Sequence, residues 1–97
     1  MTYRLSGHPK VEDDIASLPD TYQIRIRKAI RALSDDPRPH GAKKLIGIKP
    51  GINNVYRLRV GIYRVGYQVF DGELLIAVIA AAERGGIYPL LKRRLKK

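Results

Sequence analysis

The chain has 97 residues, no cysteine, and nineteen lysines and arginines against nine acidic residues, a net charge of +10. That length fits one small domain over residues 1–97, and 44% hydrophobic residues is enough for one core. The composition excludes disulfides and thiolate metal sites, and no apolar run approaches the roughly 18 residues of a membrane span.

The N-terminus, MTYRLSGHPK, lacks an apolar h-region and a cleavage-site pattern. No secretory signal is therefore expected, and a cytoplasmic location is. His8 and His40 stand far apart in sequence, so neither a metal nor another cofactor is expected. Residues 2–6 alternate and predict a short strand. A first helix is predicted from about Pro9 to Leu18, with Glu12, Asp13 and Asp14 at its positive end and Val11, Ile15 and Leu18 in one stripe. Pro19 ends it. Asp20 is a fair N-cap for a second helix, in which Tyr22, Ile26, Ala29, Ile30 and Leu33 form a core-facing stripe. Arg25, Lys28 and Arg31 fall on its other sides, where a solvated face is the ordinary reading. Ser34-Asp35-Asp36-Pro37 stops the helix, and the pair reads as an αα-hairpin.

Residues 37–54 form a connection rich in Pro, Gly and Lys, long enough to be functional or to hide a short element. Lys43, Lys44 and Lys49 make it a candidate contact for an RNA backbone. Three strands follow. Residues 55–60 place Tyr56, Leu58 and Val60 on one face, and Arg57 and Arg59 on the other. After a turn at Gly61-Ile62, residues 63–70 place Arg64 on the same face as those two arginines. Asp71-Gly72 signals a hairpin turn, and residues 73–82 read as an apolar strand covered on both sides. The turn after it is expected to bring Glu83 and Arg84 to the arginine face. A short terminal helix is predicted over Tyr88 to Leu95, with Lys96 and Lys97 fraying. The expected fold is α+β: an N-terminal strand and αα-hairpin on one face of a small, largely antiparallel sheet of three to four strands, closed by a short C-terminal helix.

Charge is distributed unevenly. Residues 1–36 carry six acidic and six basic groups, residues 37–70 seven basic and no acidic, and residues 84–97 six basic and no acidic. A basic surface of this kind favours an anionic partner, most simply a nucleic acid. Arginine forks onto phosphate oxygens, and several on one phosphate would stabilise a pentavalent transition state. RNA supplies its own nucleophile, the 2′-OH, so cleavage needs alignment, charge stabilisation and proton transfer but no metal. Tyr88 could stack on a base or pack its helix down.

The run YRLRVGIYRVGY at 56–67 resembles the hairpin signature of the RelE/ParE toxin superfamily. So do the helical hairpin before it, Lys-Lys-Leu-x-Gly at 43–47, the acidic-glycine turn and the ending Arg84-Gly-Gly-Ile-Tyr88. The resemblance covers nearly the whole chain. It implies the toxin half of a type II toxin–antitoxin pair. Members of the RelE type cleave mRNA in the ribosomal A site; those of the ParE type inhibit DNA gyrase. It assigns the catalytic positions to Arg57, Arg59, Arg64, Arg84 and Tyr88. Lysines stand at positions 57 and 59 in well-studied mRNA-cleaving members, and one is a proposed general base. Arginine holds its proton above about pH 12. Tyr88, Glu83 or a ribosomal group are the alternatives for that role. The expectation is a metal-independent, ribosome-dependent endoribonuclease. The alternatives are a ParE-like gyrase inhibitor without nuclease activity and a non-catalytic RNA-binding module. The implied partners are mRNA, ribosomal RNA and a cognate antitoxin with an amphipathic, acidic segment covering residues 88–95 and the basic face. Alone, the toxin is expected to be monomeric, and hetero-oligomeric with its antitoxin.

Overall fold

A computed structural model describes residues 2–95, so Lys96 and Lys97 lie outside the described residues. Five strands form one sheet: β1 (Arg4–Gly7), β2 (Ala42–Leu45), β3 (Val55–Val60), β4 (Tyr63–Phe70) and β5 (Leu75–Glu83), in the order β1-β5-β4-β3-β2. Only β1 runs parallel to its neighbour, β5; the other pairs are antiparallel. The helices are α1 (Val11–Ala16), α2 (Asp20–Leu33) and α3 (Ile87–Arg94).

The fold class is as expected, with one strand more. The additional strand, β2, lies in the connection 37–54 and pairs with β3 through Lys43↔Arg57 and Lys44↔Tyr56. The first helix is shorter than expected. Pro19, rather than Asp20, holds the N-cap of α2. The Asp71-Gly72 turn is longer than a two-residue hairpin: Asp71–Glu73 make a 3₁₀ turn and Leu74 adopts a left-handed φ of 50°.

Two apolar layers flank the sheet. On one face, Ile26 and Leu33 of α2 and Ile15 of α1 pack on Leu58, Val65, Tyr67, Ile76 and Val78. This is the stripe visible in the sequence, and the burial of each such side chain contributes about 1.5–3 kcal/mol. On the other face, α3 lays Ile87, Leu91 and Leu95 over Val55, Ile79 and Ala80. The face expected to be open is therefore half covered. Leu91 sits where β4 has Gly66: a Cβ there would lie 2.5 Å from a Leu91 methyl.

Strand β5 carries a bulge. Gly66 pairs with Ala80 but Tyr67 pairs with Val78, which leaves Ile79 as the extra residue. Beyond the last β1 pair, Gly7↔Val78, the edge of β5 is satisfied by side chains. The Asp14 carboxylate accepts the Ala81 N–H at 3.0 Å, and the Arg94 guanidinium donates to the Ile79 carbonyl at 3.0 Å. Arg94 also forks onto Asp14 at 2.6 and 3.0 Å, with the two side chains only 9% and 12% exposed. One buried ion pair thus ties α1, β5 and α3 together.

Candidate RNA-cleaving site

The register of the sheet builds the site row by row. Arg59 stands opposite Arg64, and Arg64 opposite Ala82; Arg57 stands opposite Gly66, and Gly66 opposite Ala80. Long cations thus line a floor of residues with little or no side chain. α3 begins just beyond. Tyr88 lies one turn before Leu91, on the same side of the helix, and Leu91 seats on Gly66. The result is a cleft of about 440 Å³ lined by Arg57, Arg59, Arg64, Arg84, Gly85 and Tyr88.

Two of the four guanidiniums are held by backbone carbonyls. Arg57 donates to the Gly41 carbonyl at 3.1 Å, and Arg64 to those of Gly61 and Tyr63, both at 3.0 Å. The Arg84 backbone N–H donates to the Ile62 carbonyl at 3.2 Å, which fixes the end of β5 against the β3–β4 turn. That turn depends on Gly61, whose φ is +61° and whose missing Cβ leaves room for the Tyr22 ring. No ion pair of the described residues involves these four arginines; the acidic partners go to Arg27, Arg38 and Arg94. Burial, then the charges of Arg57, Arg59 and Arg84, pull Arg64 below the ordinary arginine range. An anion entering the cleft relieves that repulsion.

All five residues expected to be catalytic meet in this cleft. The residues expected to contact RNA do not stay together. Lys43, opposite Arg57, extends the basic row. Lys44 pairs with Tyr56 and points to the other face. Lys49 donates its ammonium to the Leu95 carbonyl at 2.6 Å, at the C-terminal end of α3. Glu83 does not reach the arginine face as expected. It pairs with Tyr63 and shares that residue's side of the sheet. The bulge is the reason: strict alternation from Ile76 would aim residue 83 at the arginines, and the extra residue reverses it. His8 lines a separate hollow with Lys10, Arg93 and Arg94, and His40 a groove beside α2. No histidine or carboxylate lines the cleft. Tyr88, 40% exposed, contributes its one hydroxyl.

Cleft and fold together define a known class of small basic toxin. Residues 6–87 match the family described as ParE toxin of type II toxin–antitoxin system, parDE. A putative RelE-like toxin protein from Escherichia coli is 31% identical over 98 residues, covering 99% of this chain and 100% of the relative. The putative toxin RelE1 of Methanocaldococcus jannaschii is 28% identical over 88 residues, covering 91% of this chain and 97% of its own. A chain of the archaeal RelE–RelB complex from Pyrococcus horikoshii OT3 superposes with a TM-score of 0.74 at 31% identity, over 89% of this chain and 99% of that one. The isolated RelE toxin of Escherichia coli superposes with a TM-score of 0.65 at 26% identity, over 96% and 99%. The chain belongs to the RelE/ParE toxin superfamily. Among the described residues, no helix is long and apolar enough to cross a membrane.

Proposed function

We propose that the protein is the endoribonuclease toxin of a toxin–antitoxin pair, and that it cleaves mRNA on the ribosome. The observation that carries this is the convergence of Arg57, Arg59, Arg64 and Arg84 with Tyr88 around one cleft without an acidic partner. The 2′-OH of the message attacks the adjacent phosphorus in line. The P–O bond to the 5′ oxygen breaks, leaving a 2′,3′-cyclic phosphate and a 5′-hydroxyl. Arg64 and Arg84 stabilise the charge that builds on the non-bridging oxygens, and Arg57 and Arg59 orient the phosphate. The Tyr88 ring supports a base, and its hydroxyl donates the proton to the departing 5′ oxygen. A ribosomal group takes the proton from the 2′-OH, because the arginines stay protonated and no other base lines the cleft.

Purified protein added to ribosomes programmed with a defined message is expected to produce A-site cuts with those two ends. The matched family is described as ParE, which favours a second reading, gyrase inhibition. Inhibited supercoiling with an intact message would establish that reading in place of the first. An antitoxin partner is supported by the RelE–RelB complex among the similar structures. Co-expression with the adjacent reading frame is expected to restore growth and yield a co-purifying complex.

A further inference from the structure

On the nuclease reading above, we infer that this chain has a second RNA-backbone site, in the groove between α2 and the free edge of β3. The groove has a volume of about 470 Å³, and its lining includes Arg25, Lys28, His40 and Arg59 over a floor containing Leu58 and Val60. It opens because β2 stops short: Ala42 pairs with Leu58, and beyond the Arg59 N–H, which reaches the Gly41 carbonyl at 3.4 Å, the outer edge of β3 is uncovered.

Three observations point to RNA. First, Arg25 and Lys28 are both exposed, and neither joins an ion pair among the described residues, whereas their neighbour Arg27 is taken by Glu12. Like charges three residues apart on a helix repel and weaken it by a few tenths of a kcal/mol, so an unneutralised pair stands ready for an anion. Second, Arg25 is positioned without a carboxylate. Its guanidinium stacks 4.9 Å from the centre of the Tyr22 ring, which packs edge-on against Tyr63. Third, Arg59 lines both this groove and the arginine cleft. The two basic hollows meet at one side chain, so a polyanion seated in the cleft continues around the edge of β3. A continuous polyanion with evenly spaced charges matches this better than an acidic peptide, which would need the apolar floor to be the larger part of the surface.

The phosphates recognised come either from the message flanking the cut or from ribosomal RNA. The test is equilibrium binding across a salt series in two arms. One arm uses a single-stranded 12-nucleotide RNA with a 2′-deoxy residue at its centre. The other uses ribosomes programmed with a message deoxy-substituted in the A site. Alanine at exposed helical positions favours the helix, so Arg25→Ala/Lys28→Ala is expected to fold, and its melting curve checks this. Its binding is expected to weaken, with the slope of log Kd against log salt shallower by about 1.4–1.8, from 0.7–0.9 per lost phosphate contact. The exchange Arg25→Lys/Lys28→Arg is expected to keep the slope. A change in both arms identifies the message; a change in the ribosome arm alone identifies ribosomal RNA. Unchanged slopes in both arms, with cleavage still dependent on Arg64, overturn the groove and leave the cleft standing. Loss of antitoxin affinity with both RNA arms unchanged also overturns it. A wild-type protein that neither cleaves nor binds RNA overturns both.

Discussion

Arg64 and Arg84 carry the sharpest expectation at the scale of single residues, because charge and geometry can be separated there. Lysine keeps the charge and loses the two-pronged donor. Arg64→Lys and Arg84→Lys are each expected to lower the single-turnover cleavage rate on the order of 10²–10³-fold, as removal of one oxyanion donor does. Saturating ribosomes are used, so that the loss is read in chemistry rather than in binding. Full activity in both Ala variants would mean that the cleft only attracts RNA. Tyr88 divides in the same way. Tyr88→Phe retains the ring and loses the proton, while Tyr88→Ala loses both. If the hydroxyl protonates the leaving oxygen, the Phe variant is expected to fall to nearly the level of the Ala variant, within the 10²–10⁴-fold range of acid–base catalysis. The three strand arginines were legible in the sequence, because a period of two fixes which face they share. The direction of Glu83 was not. It depends on the bulge at Ile79, and a run of small and aliphatic residues gives no sign of where a bulge falls.

At the scale of elements, α3 decides where Tyr88 stands, and two features fix α3. The first is the fit of Leu91 on Gly66. Gly66→Val is expected to push the helix off the sheet, lower the melting temperature and reduce cleavage more than affinity, as a kcat effect with ribosome binding largely kept. The second is the Asp14–Arg94 pair. Removing one partner leaves a buried charge, so Asp14→Ala is expected to cost about 3–5 kcal/mol in a urea titration. The apolar exchange Asp14→Leu/Arg94→Met removes both charges but strands the Ala81 N–H and the Ile79 carbonyl. It is expected to remain destabilised by about 1–3 kcal/mol for each group left unpaired. A third link lies at the opposite end of the sheet. Asp71 accepts from Arg38 and from the Tyr3 hydroxyl, both at 2.6 Å, and the hydrogen bond from Arg38, then that from Tyr3, holds its carboxyl below the usual carboxylate range. A lowered folded-state value means the stabilisation is present above the unfolded value near pH 4 and is lost as pH falls through the lowered one. Asp71→Asn is therefore expected to melt below the parent at pH 7, with the difference closing in acid below pH 4. The helical hairpin could be read from its apolar stripe, but β2 could not. Its four residues, AKKL, carry lysines that point to opposite faces, which is how an edge strand is kept from pairing further and also what hides it from a search for alternation.

Across the whole molecule, the excess of positive charge was plain from composition, whereas the way it divides was not. Three acidic residues neutralise Arg27, Arg38 and Arg94. The cations left over gather at the cleft and beside α2, on either side of the β3 edge. Sequence could assign charge to segments, but only the register of β3 against β2 and β4 brings segments 25–28 and 57–64 around one rim. Binding through six such contacts is expected to weaken about 10³-fold between 50 and 200 mM salt. Sedimentation of the toxin with programmed ribosomes checks this, and a salt-independent affinity would point to a protein target such as gyrase.

The one parallel pairing in the sheet has a consequence for how the molecule comes into being. Arg4 pairs with Leu75 and Gly7 with Val78, and Asp14 waits for Arg94. The opening segment of the chain therefore has no strand partner until the closing segment has been made, and Tyr88 and Arg84 belong to that closing segment. Pairings so distant along the chain form late, since the loop between them must close first. During synthesis the nascent polypeptide is an unfinished sheet without its terminal helix. A chain whose finished form attacks translation thus stays harmless to the ribosome that is making it, and becomes dangerous only once it has been released.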